Sequence, residues 1–460
     1  MNINTSQVYF LSFIISGVST FFATSIYSRL LTTFEFGLYA LGLSIFTIMN
    51  SLLFQWNKLS LLRNIDGENN VKVLSNSIMI YFSLVLVSLF IFTVVDFFDI
   101  YQSLNIYVFF YLISFSLFDF FVSYLRASLK PIKFLVLNLL KSTLSILIAY
   151  LALNHFSPSS NNLFLSISFS LLLSFLIVFF KDFSFLFSLP SHFNFIEIKK
   201  QIKFGVPLTA SIFCSNSIYS LSRIIGGSII SISVIGIFSA YFTVIQQIIF
   251  TLAMACNSYG YTKLVRDHKI GLEKSIITLQ RNLIMIINFI LPAFIFVFSN
   301  SELFFGLYFP SEYHGFDRDL IFLIFITVIV FSLKTYYFEH LYHLEYKTDF
   351  LFRCSFFSLI LFLSVIYPLT NYYDELGLIV SILISYSYNC VFLWVNCKRI
   401  AGIRIKTNKH TLLYFIVSIL SVIIFEFLNF SNEYYKLYVS VLVVTTLHSW
   451  GWYLYLKRIK

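Results

Sequence analysis

The sequence predicts an all-α polytopic membrane protein of about fourteen transmembrane helices, built as two pseudo-symmetric six-helix bundles plus two C-terminal helices. Three observations carry that prediction. The 460 residues are 58% hydrophobic and 11% charged, with a mean hydropathy of +0.85, whereas soluble domains carry about 25% charged residues. Apolar segments of about 20 residues follow one another from Val8 to Leu456 with little between them. One short pattern also occurs twice, as "SRLLTTFEFGLYALGLSIF" from Ser28 and as "SRIIGGSIISISVIGIFSAYF" from Ser222.

Cutting at polar breaks predicts spans over 8–30, 37–57, 74–95, 104–125, 134–154 and 161–181 in the first half. The second half follows with 204–225, 233–256, 277–299, 320–338, 350–369 and 376–397, and two more spans cover 411–430 and 434–456. The first segment has no basic n-region and no A-x-A-like cleavage site, so it reads as a retained helix and not a signal peptide. With the N-terminus inside, the inner loops collect Lys58, Arg63, Arg126, Lys130, Lys199, Lys200, Arg266, Lys274, Arg399 and Arg404, while the outer side keeps Arg29, Arg318 and Lys436 beside many acids. That bias sets both termini in the cytoplasm. The net charge of +10 is then an inner-leaflet signature and gives no reason to invoke nucleic acid.

The loops exclude several functions. None on the outer side exceeds roughly twenty residues, so no external domain houses chemistry. No GxxxxGK[ST] sequence is present to hold ATP phosphates. Cys214, Cys256, Cys354, Cys390 and Cys397 show no C-x-x-C spacing and read as small packing residues, and no cofactor or metal is predicted.

Six spans separate the two copies of the pattern. An even number keeps both in one orientation, which makes the halves parallel repeats: 1–181 as the N-terminal bundle, 182–203 as a cytoplasmic linker, 204–397 as the C-terminal bundle, and 398–460 as two added helices with a tail. The copies are offset by 194 residues at Arg29 and Arg223 but by 199 at Gly37 and Gly236, which predicts a longer connecting turn in the second. Such repeats enclose a central site between bundles that rock, as in a transporter.

These residues resemble a known family. "SRLLTTFEFGLYALGLS" is similar to the opening signature of the Wzx-type polysaccharide and O-antigen flippases; "IKFGVPLTASI" from Ile202 resembles the start of their seventh helix, and "ELFFGLYFPSEYHGFDRDLIFLI" from Glu302 the loop before their tenth. Where the family often has Asp-Arg in its second repeat, this chain has Ser222 before Arg223. The resemblance covers nearly the whole chain. It implies the multidrug, oligosaccharidyl-lipid and polysaccharide (MOP) exporter superfamily and a MATE-like fold. It further implies transfer of undecaprenyl-pyrophosphate-linked sugar repeat units across the bacterial inner membrane, coupled to H+ or Na+, with a polysaccharide polymerase and a chain-length regulator as partners. Two other readings are a polymerase or ligase of the same pathway, which would need a large external loop, and a drug exporter, which would need a buried carboxylate in the first span.

Charges within the spans are the candidate site residues, since each costs roughly 2.5–3.5 kcal/mol at a helix centre. Asp119 and Lys141 both lie roughly 10 Å from the inner ends of neighbouring spans. Either they form a structural ion pair, or Lys141 helps to bind pyrophosphate while Asp119 tunes it or takes a coupling ion. Lys334, in the tenth span, either faces the lumen as part of an anion site or snorkels. Arg29 and Arg223 either grip phosphate oxygens or cap the turn that each repeat needs. Pro292 kinks the ninth span, as a hinge or as a static bend. His340 and His343 in "EHLYHLEYK" lack the H-E-x-x-H arrangement and read as interfacial polar residues.

Overall fold

The computed structural model describes residues 5–65, 70–97, 105–180, 195–345, 347–401, 416–417 and 433–457. Their regular structure is helical throughout, as hydrocarbon demands of a backbone that must bond its own N–H and C=O groups. The first half holds α1 (Thr5–Leu30), α2 (Thr33–Leu53), α3 (Gln55–Asn64), α4 (Asn70–Phe97), α5 (Asn105–Ala127), α6 (Pro131–His155) and α7 (Ser160–Phe179). The second holds α8 (Phe195–Ile229), α9 (Ile232–Ile270), α10 (Leu272–Ser299), α11 (Ser301–Tyr308), α12 (Arg318–Leu333), α13 (Glu339–Leu344), α14 (Thr348–Ala401) and α15 (Glu433–Lys457). Nine stretches among the described residues are long and apolar enough to cross a membrane, and the chain is a multi-pass membrane protein. The predicted span over 411–430 lies, but for 416–417, outside the described residues.

Two predicted spans fall within α14. They are separate helices, because Asp374 takes a φ of 46° and breaks the regular backbone. Gly377 confirms the reversal. Residues eight apart in an unbroken helix are about 12 Å apart, yet a Cβ on Gly377 would overlap the Leu369 carbonyl.

The chain divides into two compact units, one of Met1–Ala240 with Ser355–Leu378 and the other of Tyr241–Cys354 with Ile379–Lys460. In the first unit α1 packs on α6, α6 on α7, α7 on α5, and both α2 and α3 on α8. Thr32 caps α2 by accepting from the Glu35 N–H at 3.2 Å, and the Glu35 carboxylate accepts from the Ser160 N–H at 2.7 Å, where α7 begins. An acid at a helix N-terminus satisfies one orphan donor and faces the positive end of the dipole. Glu35, the acidic residue of the first copy of the pattern, is therefore a tie between α2 and α7.

Glycine has the larger role. A Cβ on Gly37 would overlap the Ile232 carbonyl, and one on Gly236 would overlap the Thr33 carbonyl. Thr33 and Ile232 each precede their own glycine by four residues, so the starts of α2 and α9 touch reciprocally, backbone to backbone. The expected longer turn in the second copy is absent. Two residues join α1 to α2 and two join α8 to α9, and the five extra residues instead continue α8 beyond Arg223. At 1.5 Å per residue this sets Arg223 about 7.5 Å further from its helix end than Arg29 is from its own.

Replacing Gly37 or Gly236 by Ala should each cost about 1–3 kcal/mol through overpacking. Gly306→Ala in α11, where a Cβ meets nothing within 4 Å, should be neutral or stabilising by up to about 1 kcal/mol. Thermal unfolding in detergent checks all three.

Candidate functional site

The depth difference separates the two repeat arginines chemically. Arg29, in the last turn of α1, is exposed. Arg223 is 6% exposed, with its guanidinium carbon 3.9 Å from the Tyr219 ring centroid. Its Nη1 donates to the Ala40 carbonyl of α2 at 3.4 Å, and its buried Nε has no acceptor among the described residues. No carboxylate among them lies within ion-pair distance of it. Ala40 sits one turn past Gly37, so the glycine contact that brings the helices together also presents this carbonyl.

Tyrosines surround the arginine. Tyr39 on α2 lies within its electrostatic reach, and the Tyr39 ring meets Tyr27 of α1 edge-on at 6.4 Å. The Tyr27 hydroxyl donates to the Ser145 carbonyl of α6 at 3.3 Å. Ser145 is one turn beyond Lys141 on the same face of α6. Lys141 lies 5.7 Å from the Phe118 ring centroid and, among the described residues, has no carboxylate within ion-pair distance. A series of contacts thus runs from Arg223 through Tyr39 and Tyr27 to the α6 backbone, one turn from Lys141.

Asp119 has a different partner from the one the sequence suggests. Its Oδ2 is 2.6 Å from Lys58 Nζ, and Lys141 acts on it only at longer range. The sequence places Lys58 in an inner loop, but the chain re-enters helix at Gln55 and carries Lys58 on the first turn of α3, against α5.

In the second unit Lys334 is 1% exposed and its Nζ lies 2.8 Å from Glu339 Oε1. Residues five apart on an α-helix point about 140° apart. Lys334–Phe338 is instead a π-turn, with the Glu339 N–H on the Lys334 carbonyl, and the wider turn stacks the two side chains. Glu339→Leu should strand a buried ammonium and cost about 3–5 kcal/mol, and adding Lys334→Met should restore most of it. Denaturation of the purified variants measures the difference.

Pro292 has a partner as well. Without an N–H it leaves the Asn288 carbonyl without its helical donor. His448 of α15 fills the gap, with Nδ1 at 3.1 Å from Asn288 O, while Trp452 Nε1 donates to His448 Nε2 at 2.9 Å. A carbonyl only accepts, so Nδ1 carries the proton and the imidazole is neutral. His448→Leu should cost about 1–3 kcal/mol by removing this donor from the Asn288 carbonyl. With Pro292→Ala, whose N–H can return to Asn288, the loss should shrink, which a double-mutant cycle detects.

No family model and no curated protein matches the sequence. Solved structures do match. The lipid II flippase MurJ in an inward closed conformation superposes with a TM-score of 0.69 at 14% identity, covering 99% of both chains. The fold is that of the MurJ and MATE structures. An inward-facing multidrug resistance MATE family transporter of the MOP superfamily gives 0.58 at 13% identity, covering 87% of this chain and 97% of its own. The MATE multidrug transporter DinF-BH gives 0.55 at 14% identity, covering 86% and 97%.

Proposed function

We propose that the chain is a flippase that carries undecaprenyl-pyrophosphate-linked sugar repeat units of the O-antigen type from the cytoplasmic to the periplasmic leaflet of the bacterial inner membrane, by alternating access. The observation that carries this reading is the Arg223 guanidinium, buried beside Tyr219 with no carboxylate among the described residues within ion-pair distance. A buried cation in that state is costly, and a pyrophosphate offers oxygens that match its planar fork. Lys141 supplies a second positive charge to the same unit, and the tyrosine hydroxyls suit sugar and phosphate oxygens. Arg29, at the exposed end of α1, is an entry or exit contact for the same anion. Lys334 takes part as half of a neutral pair. Consumption of the product outside, or an H+ or Na+ gradient, drives the cycle.

The comparisons support a flippase over a drug exporter. The MurJ structure covers 99% of the chain, while the MATE structures stop at 86–87%. The remainder is close in length to 398–460, the region assigned to two added helices.

The test is expression in a strain lacking its own O-antigen flippase, with the sidedness of the lipid-linked unit followed directly. Arg223→Ala should lower transfer by more than about tenfold, Arg223→Lys should keep part of it as a point charge, and Arg29→Ala should cost less than Arg223→Ala. Transfer at the wild-type rate by a folded Arg223→Ala protein would sink the phosphate role. Units that cross without the chain and stay unpolymerised would make it an enzyme of the pathway.

A further inference from the structure

We propose that the turn between α5 and α6 is a binding site for an anionic phospholipid of the inner leaflet, with Leu129 inserted at the acyl-chain boundary and Arg126, Lys130 and Lys133 around the phosphodiester headgroup. The site stands independently of the flippase reading.

The turn ends α5 in the way that helices commonly stop on glycine. The Lys130 N–H reaches back to the Leu125 carbonyl at 2.9 Å, and the Leu129 N–H to the Arg126 carbonyl at 3.3 Å. That geometry requires a left-handed φ at the exit residue, and Leu129 has 51°. Glycine or asparagine adopts such a φ readily, whereas the Cβ of leucine crowds the following carbonyl. No packing offsets the strain, because the Leu129 side chain is 72% exposed, and Ile132 three residues on is 71% exposed. A large apolar side chain that is both strained and uncovered marks a contact made outside the chain.

Position identifies the occupant. The α6 span has 25 residues, about 37 Å at 1.5 Å per residue against a hydrocarbon core of about 30 Å, so its first turn reaches headgroup depth. Ile132, Val136, Leu139, Leu147 and Tyr150 are exposed at helical spacing and form one apolar stripe, the side of a spanning helix that faces lipid. Leu129 lies just ahead of that stripe, and the charge bias of the loops sets this end at the inner leaflet.

Charge then selects the lipid. Residues 126–133 hold three basic side chains and no acid. Arg126 and Lys130 are exposed, and no carboxylate among the described residues lies within ion-pair distance of either. Lys130 Nζ is 5.5 Å from the Tyr124 ring centroid, which keeps the ammonium beside the turn without neutralising it. Snorkelling by itself would bring these cations to headgroup depth, but it needs no exposed leucine where glycine fits best. Basic side chains around an inserted apolar tip match an anionic lipid better than a zwitterionic lipid or a free anion.

The experiment places a bimane fluorophore on Ser128→Cys of the full-length chain, in bilayers of equal parts phosphatidylglycerol and phosphatidylcholine with bromine on the acyl chains of one lipid or the other. Four native cysteines are buried and Cys390 is half-buried, so labelling favours the introduced thiol, and the unsubstituted chain supplies the background. Bromine quenches at contact and therefore reads which lipid sits at the turn. Brominated phosphatidylglycerol should quench at least about twofold more than brominated phosphatidylcholine, and Arg126→Gln with Lys130→Gln should make the two equal. Leu129→Asn keeps the charges and suits the φ, so it should leave the Tm in detergent unchanged or raised while reducing quenching by both lipids by about half. Ala127→Cys takes the label if Ser128→Cys disturbs folding. Equal quenching by the two lipids beside the native turn would overturn the selectivity for an anionic lipid. Absence of quenching by either would place the turn outside the bilayer and overturn the site. A lower Tm for Leu129→Asn would make the leucine a packing residue and overturn its insertion. Loss of the phosphatidylglycerol excess in inorganic phosphate, but not in chloride of equal ionic strength, would assign the cations to a free anion and sink the proposal.

Discussion

The reciprocal contact between Gly37 and Gly236 is the constraint on which the first unit depends. Helices whose backbones touch at two facing glycines have little freedom to slide, because each glycine lies on the other helix's carbonyl. Lipid offers no hydrophobic force to hold helices together, so close packing of small residues has to do it. Once α2 and α9 are joined at their first turns, α8, which leads into α9 through two residues, lies along α2. The Ala40 carbonyl then falls beside Arg223. The repeated glycine therefore builds the scaffold, and the repeated arginine uses it.

Four basic side chains within or beside the spans meet the cost of burial in different ways. Lys58 and Lys334 each reach a carboxylate, at 2.6 and 2.8 Å, and become neutral pairs. Arg223 and Lys141 have aromatic faces instead, at 3.9 and 5.7 Å, which attract a cation but do not neutralise it. Paired cations hold structure, and unneutralised ones attract anions. By that distinction the first unit presents an anion-attracting cluster at Arg223.

Backbone irregularities are matched to side chains in the second unit. The π-turn at Lys334 aligns an ion pair that α-helical geometry would separate, and the carbonyl left by Pro292 is taken up by His448. Gly451 lies against the Asn288 side chain, so α15 seats itself on the kink of α10 with little space between them. A bend held by a neighbouring helix moves only when that neighbour moves, which makes α15 the partner of any motion at Pro292.

The sequence by itself determined the membrane class, the helices among the described residues and the duplicated Arg and Gly pattern, because these follow from hydropathy and from residues within about one turn of each other. It also contained the five-residue disagreement between the arginine and glycine offsets, although only the structure shows that those residues lengthen α8 and do not enlarge a turn. The partners were not legible. Asp119 chose Lys58 over Lys141, Lys334 chose Glu339, and the Asn288 carbonyl chose a histidine 160 residues away. Sequence spacing says which side chains share a face of one helix, but which faces meet depends on the rotation and depth of every helix packed around them. That rotation is a property of the assembled bundle. In the first unit it is set where two glycines let two backbones touch.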